Sequence, residues 1–111
     1  MNAIKKSRRL RELIRAKETL VMPDAFDPLS ARIIESLGFP AVQCSGFSMA
    51  LSAMRSTEAD LGRDANLAAT RAIVSAVAVP IMADGEDGFG DPADKRTRTH
   101  SAPDVPRGNI L

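Results

Sequence analysis

The feature that most constrains the fold is the alternation of short apolar runs with longer segments of helical periodicity. Residues 19–23, 40–44 and 79–83 form the apolar runs, and each has the length of a buried strand. Residues 28–37 and 64–77 carry apolar side chains at helical spacing. This order predicts an α/β fold whose parallel strands are joined by right-handed crossovers. Doubly wound sheets and eight-stranded barrels both begin this way, and three strands do not separate them.

The segment after the first run has clear helix boundaries. Asp27 followed by Pro28 is typical of a helix start, because an acid caps the first turn and proline suits its first position. Leu29, Ile33 and Leu37 then recur every four residues, and Gly38 follows where a left-handed cap is favoured. We therefore predict a helix over 28–37.

The first twenty residues are rich in lysine and arginine but contain no apolar core of the kind that a signal peptide has. Leu10, Leu13, Ile14 and Leu20 indicate one face of a helix. A mitochondrial presequence and a nucleic-acid arm are alternatives, and we favour a solvated helix at the edge of a domain.

Composition narrows the class of partner. The net charge is +1, so the chain has no overall positive charge that would attract nucleic acid. Aromatic residues make up 4% of the chain, so it has few side chains on which bases could stack. No apolar run approaches the length of a membrane span. Cys44 is the only cysteine, which suits a reducing compartment, and we expect a cytoplasmic protein.

Two regions lack clear periodicity. Residues 48–62 are harder to place, and the polar stretch 55–60 is predicted to be a loop. Beyond Pro92 the apolar pattern stops, so residues 1–92 are predicted to form the folded part and residues 93–111 an unstructured tail. His100, the only histidine, lies in this tail and is predicted to be solvated.

Ligands of parallel α/β folds collect at the carboxyl ends of the strands, and two such ends are chemically distinctive here. Ser45-Gly46-Phe47 follows the second run, and a hydroxyl beside a glycine lets backbone amides approach an anion, although Ser-Gly is also an ordinary turn. Asp84 and Glu86 follow the third run and alternate, so that on an extended strand end both point to the same side. Magnesium accepts few carboxylates together with water. From spacing alone, an acidic surface turn is the favoured alternative.

Four segments taken together resemble the isocitrate lyase and phosphoenolpyruvate mutase superfamily. They are PDAFDPLSAR at 23–32, GFPAV at 38–42, SGF at 45–47 and ADGEDGFG at 83–90, in the family's order and spacing. The resemblance covers residues 8–92. It implies the N-terminal portion of a TIM (β/α)8 barrel, with about three parallel strands and their helices. Full-length relatives are expected to be homo-oligomers that bind magnesium.

The resemblance also implies roles for particular residues. Ser45, Gly46 and Phe47 would hold a substrate carboxylate through the serine hydroxyl and the following amides. Asp84 and Glu86 would bind magnesium directly or through water, with Glu86 standing where aspartate is common. The third acid, in the loop after the Ser-Gly segment, would be Asp60, with Glu58 as the alternative.

The implied activity is magnesium-dependent cleavage or hydrolysis of a carbon–carbon bond in a small 2-oxo or 2-hydroxy acid. The products would resemble pyruvate or glyoxylate. A phosphonomutase acting on carboxyphosphonoenolpyruvate or phosphoenolpyruvate is one alternative, and a non-catalytic fragment is another. The family's reactive cysteine lies on a later loop of Lys-Cys-Gly-His type, which this sequence does not contain, and Cys44 is predicted to be a buried hydrophobe.

We therefore expect no catalytic residue in the chain, and an incomplete barrel that is inactive alone. A truncation or a frameshift near Pro92 would account for it, and the loss of periodicity favours the frameshift. Five apolar residues are expected to project, half covered, from the barrel-facing side of the sheet: Leu20, Met22, Val42, Val79 and Ile81.

Overall fold

The computed structural model describes residues 3–84. Within them the chain forms five helices and two strands. In chain order these are α1 (Ala3–Arg15), α2 (Pro28–Ser36), β1 (Val42–Cys44), α3 (Gly46–Ser52), α4 (Glu58–Leu61), α5 (Arg63–Ala76) and β2 (Ile81–Ala83). The predicted α/β class is confirmed.

The two strands are parallel neighbours, as predicted. Val42 lies opposite Ile81 and Cys44 opposite Ala83. The first apolar run does not form a strand. A single parallel bridge joins Asp24, the residue after this run, to Gln43 of β1. All three predicted runs therefore lie side by side, but each forms a shorter ladder than the sequence indicated.

The start of α2 follows the predicted capping chemistry. The Oδ1 atom of Asp27 accepts a hydrogen bond from the backbone N of Ser30 at 2.7 Å, and the Ser30 Oγ accepts one from the Asp27 backbone N at 3.2 Å. This reciprocal pair satisfies amides that have no partner within the helix. The helix ends at Ser36, and Gly38 adopts a φ of +91°, a conformation in which glycine has no Cβ penalty.

The core lies between the sheet and the helices α2 and α5. Helix α2 contributes Ala31 and Ile34, whereas Leu29, Ile33 and Leu37 are exposed by 67%, 50% and 70%. A spacing of four residues predicts a helical stripe without saying which side of the helix faces inward. The small Ala31 lies on the side that packs against the core.

The side chains of the strands alternate between two environments. Val42, Cys44, Ile81 and Ala83 are buried in the core that the helices cover. The predicted half-covered, barrel-facing position of Val42 and Ile81 is therefore wrong, since both have 0% exposure. Of the other three residues of that set, Leu20 and Met22 are half-buried, and Val79 is partly buried against the core. The alternation of a strand puts successive residues on opposite faces, and the helix-facing side takes the branched and small apolar residues here.

Residues 46–61 include helices in the region that the sequence left hard to place, and part of the predicted loop at 55–60 is wrong. Helix α3 begins one residue after β1, and α4 forms a single turn that starts within the 55–60 stretch predicted to be a loop. The backbone N of Asp60 donates to the Thr57 Oγ at 3.0 Å, so a threonine side chain satisfies an amide of this turn.

Helix α1 is more than a solvated edge. Lys6, Ser7 and Leu10 are buried, and α1 contacts β2, whereas Ile14 is 54% exposed. The predicted helix is therefore confirmed, and Leu10 of its predicted apolar face is buried, but Ile14 of that face is exposed while Lys6 and Ser7 share the buried side.

Candidate functional site

Polar residues converge where the strands end. We call the following set the strand-end cluster: Asp24, Ser45, Gly46, Ser48, Asn66 and Asp84. Asp24 follows the first apolar run, Ser45 follows β1 and Asp84 follows β2. Parallel strands bring their carboxyl ends to one edge of the sheet, so residues 21 and 38 positions apart come into contact there.

Asp24 holds the segment that follows β1. Its Oδ1 atom accepts a hydrogen bond from the backbone N of Ser45 at 2.8 Å, and its Oδ2 atom accepts one from the Ser48 Oγ. Both oxygens of the Asp24 carboxylate therefore accept hydrogen bonds from the N-cap and first turn of α3.

Asp84 is held through its backbone and meets Gly46 through its side chain. Its backbone N donates to the Cys44 oxygen at 2.9 Å, which continues the pairing of the two strands. The Gly46 backbone N lies 3.4 Å from Asp84 Oδ2. The Asn66 Nδ2 atom lies 3.4 Å from the backbone oxygen of Asp84. Asn66 is only 2% exposed, so its amide reaches this edge from inside the protein.

The predicted carboxylate-binding segment is part of this edge. Ser45 is the N-cap of α3 with extended backbone angles, and its side chain makes no capping hydrogen bond. Gly46 is buried and Phe47 is 58% exposed. Gly46 thus lies beside the predicted metal ligand Asp84, Ser45 contacts Asp24, and the Phe47 side chain is largely in solvent.

The other predicted metal ligands are not joined to this edge by a described contact. Asp60 accepts a hydrogen bond through Oδ2 from the nearby Ser56 Oγ. Glu86 lies outside the described residues. Residues 3–84 contain no group of three or more histidine, cysteine, aspartate or glutamate side chains placed to hold a metal. The assignment of Asp60, and of Glu58 as its alternative, stays a prediction.

Cys44 occupies the buried position that was predicted for it. It is 0% exposed, and burial, together with the smaller effect of the nearby Asp24 charge, raises the pKa of its thiol to about 12. A thiol is nucleophilic as the thiolate, so this environment suits a packing role.

Sequence reasoning missed Asp24, Ser48 and Asn66 as members of the site. Asp24 had a usable signal, because it is an acid directly after an apolar run, the same position that singled out Asp84. Ser48 and Asn66 had none, since a serine and an asparagine within helices are ordinary until the tertiary contacts are known.

The fold and the cluster define a parallel α/β protein with a polar site at the carboxyl ends of its strands. The sequence profile of the family described as phosphoenolpyruvate phosphomutase matches residues 10–102. The chain belongs to this family, and so to the isocitrate lyase and phosphoenolpyruvate mutase superfamily.

Characterised relatives include both lyases and mutases. The chain is 36% identical to the 2,3-dimethylmalate lyase of Eubacterium barkeri over 84 residues, covering 75% of this chain and 29% of the lyase. It is 34% identical to the chloroplastic carboxyvinyl-carboxyphosphonate phosphorylmutase of Arabidopsis thaliana, covering 75% of this chain and 25% of the mutase. The chain thus spans less than a third of the length of these relatives.

A solved structure shares both fold and sequence with the chain. Phosphonopyruvate hydrolase in complex with oxalate and magnesium matches with a TM-score of 0.73 and 30% identity. The match covers 85% of this chain and 32% of the hydrolase. The chain therefore has the fold of one portion of these enzymes.

Helices of membrane-spanning length and apolarity are not found in the part of the chain that the structure describes. The cytoplasmic location stays a prediction from the cysteine content.

Proposed function

We propose that this chain forms the N-terminal metal- and carboxylate-binding edge of a magnesium-dependent carbon–carbon lyase or hydrolase with a (β/α)8 barrel. Its substrate would be a small 2-oxo or 2-hydroxy carboxylic acid. Support comes from the family membership, from the lyase relative, and from the relative that binds oxalate and magnesium. A homo-oligomeric whole protein is part of the proposal.

The observation that carries this proposal is the approach of the Gly46 backbone N to Asp84 Oδ2 at 3.4 Å. It puts the segment proposed to bind a carboxylate directly beside the acid proposed to bind a cation. A substrate with a carboxylate next to a carbonyl or hydroxyl oxygen needs these two kinds of group within a few ångströms of each other.

The donor set at this edge fits magnesium. The candidate ligand atoms are carboxylate and hydroxyl oxygens, which hard divalent cations prefer, and no imidazole or accessible thiol stands among the described residues of the cluster. Asp84 would hold the ion, with Glu86 and Asp60 as the further predicted ligands. When bound, magnesium would supply positive charge opposite oxygens that become negative as a bond beside a carbonyl breaks.

The chain's own residues bind and orient the substrate in this proposal. The Ser45 hydroxyl and the amides of Gly46 and Phe47 would donate hydrogen bonds to a carboxylate. The contact between Asn66 and the Asp84 carbonyl supports the strand end that carries the metal ligand. Cys44 takes no part, because its thiol is buried on the other side of the strand, in the core.

A second candidate is a phosphonomutase, which the mutase relative favours. The Ser45–Phe47 segment would serve equally for a phosphonate, since backbone amides and a hydroxyl bind either anion. Reaction products separate the candidates, because a lyase releases a 2-oxo acid and a mutase moves phosphorus to carbon.

The test exchanges the aligned 84 residues of the Eubacterium barkeri lyase for those of this chain. We expect a folded chimaera that still releases 2-oxo acid from 2,3-dimethylmalate in a magnesium-dependent manner. Asp84→Asn in the chimaera should abolish turnover, and Glu12→Gln, on the exposed side of α1, should not.

The equivalent exchange into the Arabidopsis mutase tests the second candidate by phosphorus NMR. A lyase chimaera that melts cooperatively but shows no turnover would contradict the proposed lyase. Turnover by the mutase chimaera alone would favour the phosphonomutase instead.

A further inference from the structure

We propose that Asp24 is a positioning residue that fixes the orientation of the Ser45–Phe47 segment. This inference rests on the proposed function, in which that segment holds the substrate carboxylate. Asp24 lies within the 23–32 motif, but the resemblance gave it no role and it was not among the predicted metal ligands. Asp24 would act through the backbone of the segment and would not touch the ligand itself.

The backbone that carries Asp24 is held by hydrogen bonds to β1. The Gln43 backbone N donates to the Pro23 oxygen at 2.9 Å, and the Ala25 backbone N donates to the Gln43 oxygen at 2.7 Å. The backbone on both sides of Asp24 is therefore bound to β1, and Ala25 is fully buried. A carboxylate on such a rigid backbone is suited to holding a neighbouring segment in one place.

The two contacts of the Asp24 carboxylate bracket the proposed ligand donors. One contact is with the Ser45 backbone N at 2.8 Å, and the other is with the Ser48 hydroxyl. Gly46 and Phe47 lie between these two points. The carboxylate thus fixes the segment before and after the amides assigned to the substrate, and it uses an amide that the assignment does not need.

A positioning role and a purely electrostatic role for this carboxylate predict opposite effects of substitution on anion binding. As a positioning group, Asp24 acts through its acceptor oxygens, which asparagine partly retains. As a charge, it would repel an anion bound nearby, and its neutralisation would improve binding. Asp24→Asn and Asp24→Ala therefore separate the two effects.

The experiment measures binding of oxalate in the presence of magnesium to the 111-residue chain by calorimetry. We expect Asp24→Ala to weaken oxalate binding by about tenfold or more, in the range seen when supporting partners of a site are removed. Asp24→Asn should restore binding to within about threefold of the unsubstituted chain. Glu12→Gln removes one negative charge on the exposed side of α1 and should leave binding unchanged.

A second variant keeps the test decisive if Asp24→Ala does not fold. Ser48→Ala removes one of the two contacts and leaves the Ser45 contact in place, so a smaller loss of about threefold is expected. Thermal melts of every variant establish that the folded state is compared.

Four outcomes would count against the inference. Equal binding by Asp24→Ala and the unsubstituted chain would overturn it, as would Asp24→Asn binding as weakly as Asp24→Ala. Clearly tighter binding by Asp24→Asn would show that charge dominates and would also overturn it. No binding by the unsubstituted chain would overturn the proposed function and this inference with it, whereas the first three outcomes leave the proposed function standing.

Discussion

The Nζ atom of Lys6 donates a hydrogen bond to the backbone oxygen of Val77 at 2.8 Å, across 71 positions of sequence. The same atom donates to the Val74 oxygen at 3.0 Å, so that one buried lysine satisfies carbonyls at the end of α5. On the other side of the turn, Glu35 Oε2 accepts hydrogen bonds from the amides of Ala78 and Val79 at 2.6 and 3.1 Å. The turn that leads into β2 is thus held by opposite charges from α1 and α2.

Lys6→Met should destabilise the chain by about 1–3 kcal/mol, because it leaves buried carbonyl oxygens without their donor while preserving most of the apolar stem. Chemical denaturation followed by circular dichroism measures this free energy of unfolding. Lys17→Met, at an exposed position beyond α1, is the matched control and should change it little. Equal stability of the two variants would show that Lys6 only packs.

Burial of Lys6 also implies that the free energy of unfolding depends on pH. Burial lowers the pKa of Lys6 below its ordinary value, although the Glu35 charge partly opposes this. Between the lowered folded pKa and the unfolded value of 10.5, the unfolded chain binds more protons, so stability contributed by Lys6 rises with pH in that window.

The measurement is the difference in unfolding free energy between the unsubstituted chain and Lys6→Met at several pH values. Contributions from groups common to both chains, including Cys44, cancel in this difference. We expect the advantage of the unsubstituted chain to grow as pH rises towards 10.5. An advantage that shrinks over this range would contradict the assigned cause.

Cys44 should be unreactive in the folded chain. Its side chain is fully buried and its thiol pKa is raised to about 12, so little thiolate is available at pH 8. A chromogenic disulfide reagent should label it only after denaturation, at the rate of an ordinary thiol. Rapid stoichiometric labelling without denaturant would show that this end of β1 opens or is packed differently.

The sequence was sufficient for α1, α2, α5 and the parallel direction of β1 and β2, because apolar runs and helical spacing are local properties, but it gave no sign of α3 and α4. It did not determine which side of α2 faces the core, since Leu29, Ile33 and Leu37 form as good a stripe as the one that contains Ala31 and Ile34. That choice depends on how closely the helix approaches the sheet, which no local pattern contains.

Some residues of the candidate site could likewise be predicted from the sequence and others could not. Ser45 and Asp84 could be predicted because strand ends are identifiable from local patterns, and the family resemblance gave them roles. The contact of Asn66 with Asp84 depends on where α5 lies against β2, and the partner of Asp24 depends on a parallel bridge between residues far apart in sequence. Such contacts follow from tertiary packing and have no local signature.

The most direct test of the account is a calorimetric titration of the chain with magnesium, comparing the unsubstituted protein with Asp84→Asn. Removing the carboxylate charge from the strand end should weaken magnesium binding by about tenfold or more. Asp64→Asn, whose side chain is 94% exposed on α5, is the control and should bind magnesium as the unsubstituted chain does. Equal magnesium affinity in all three proteins would contradict the proposed metal site.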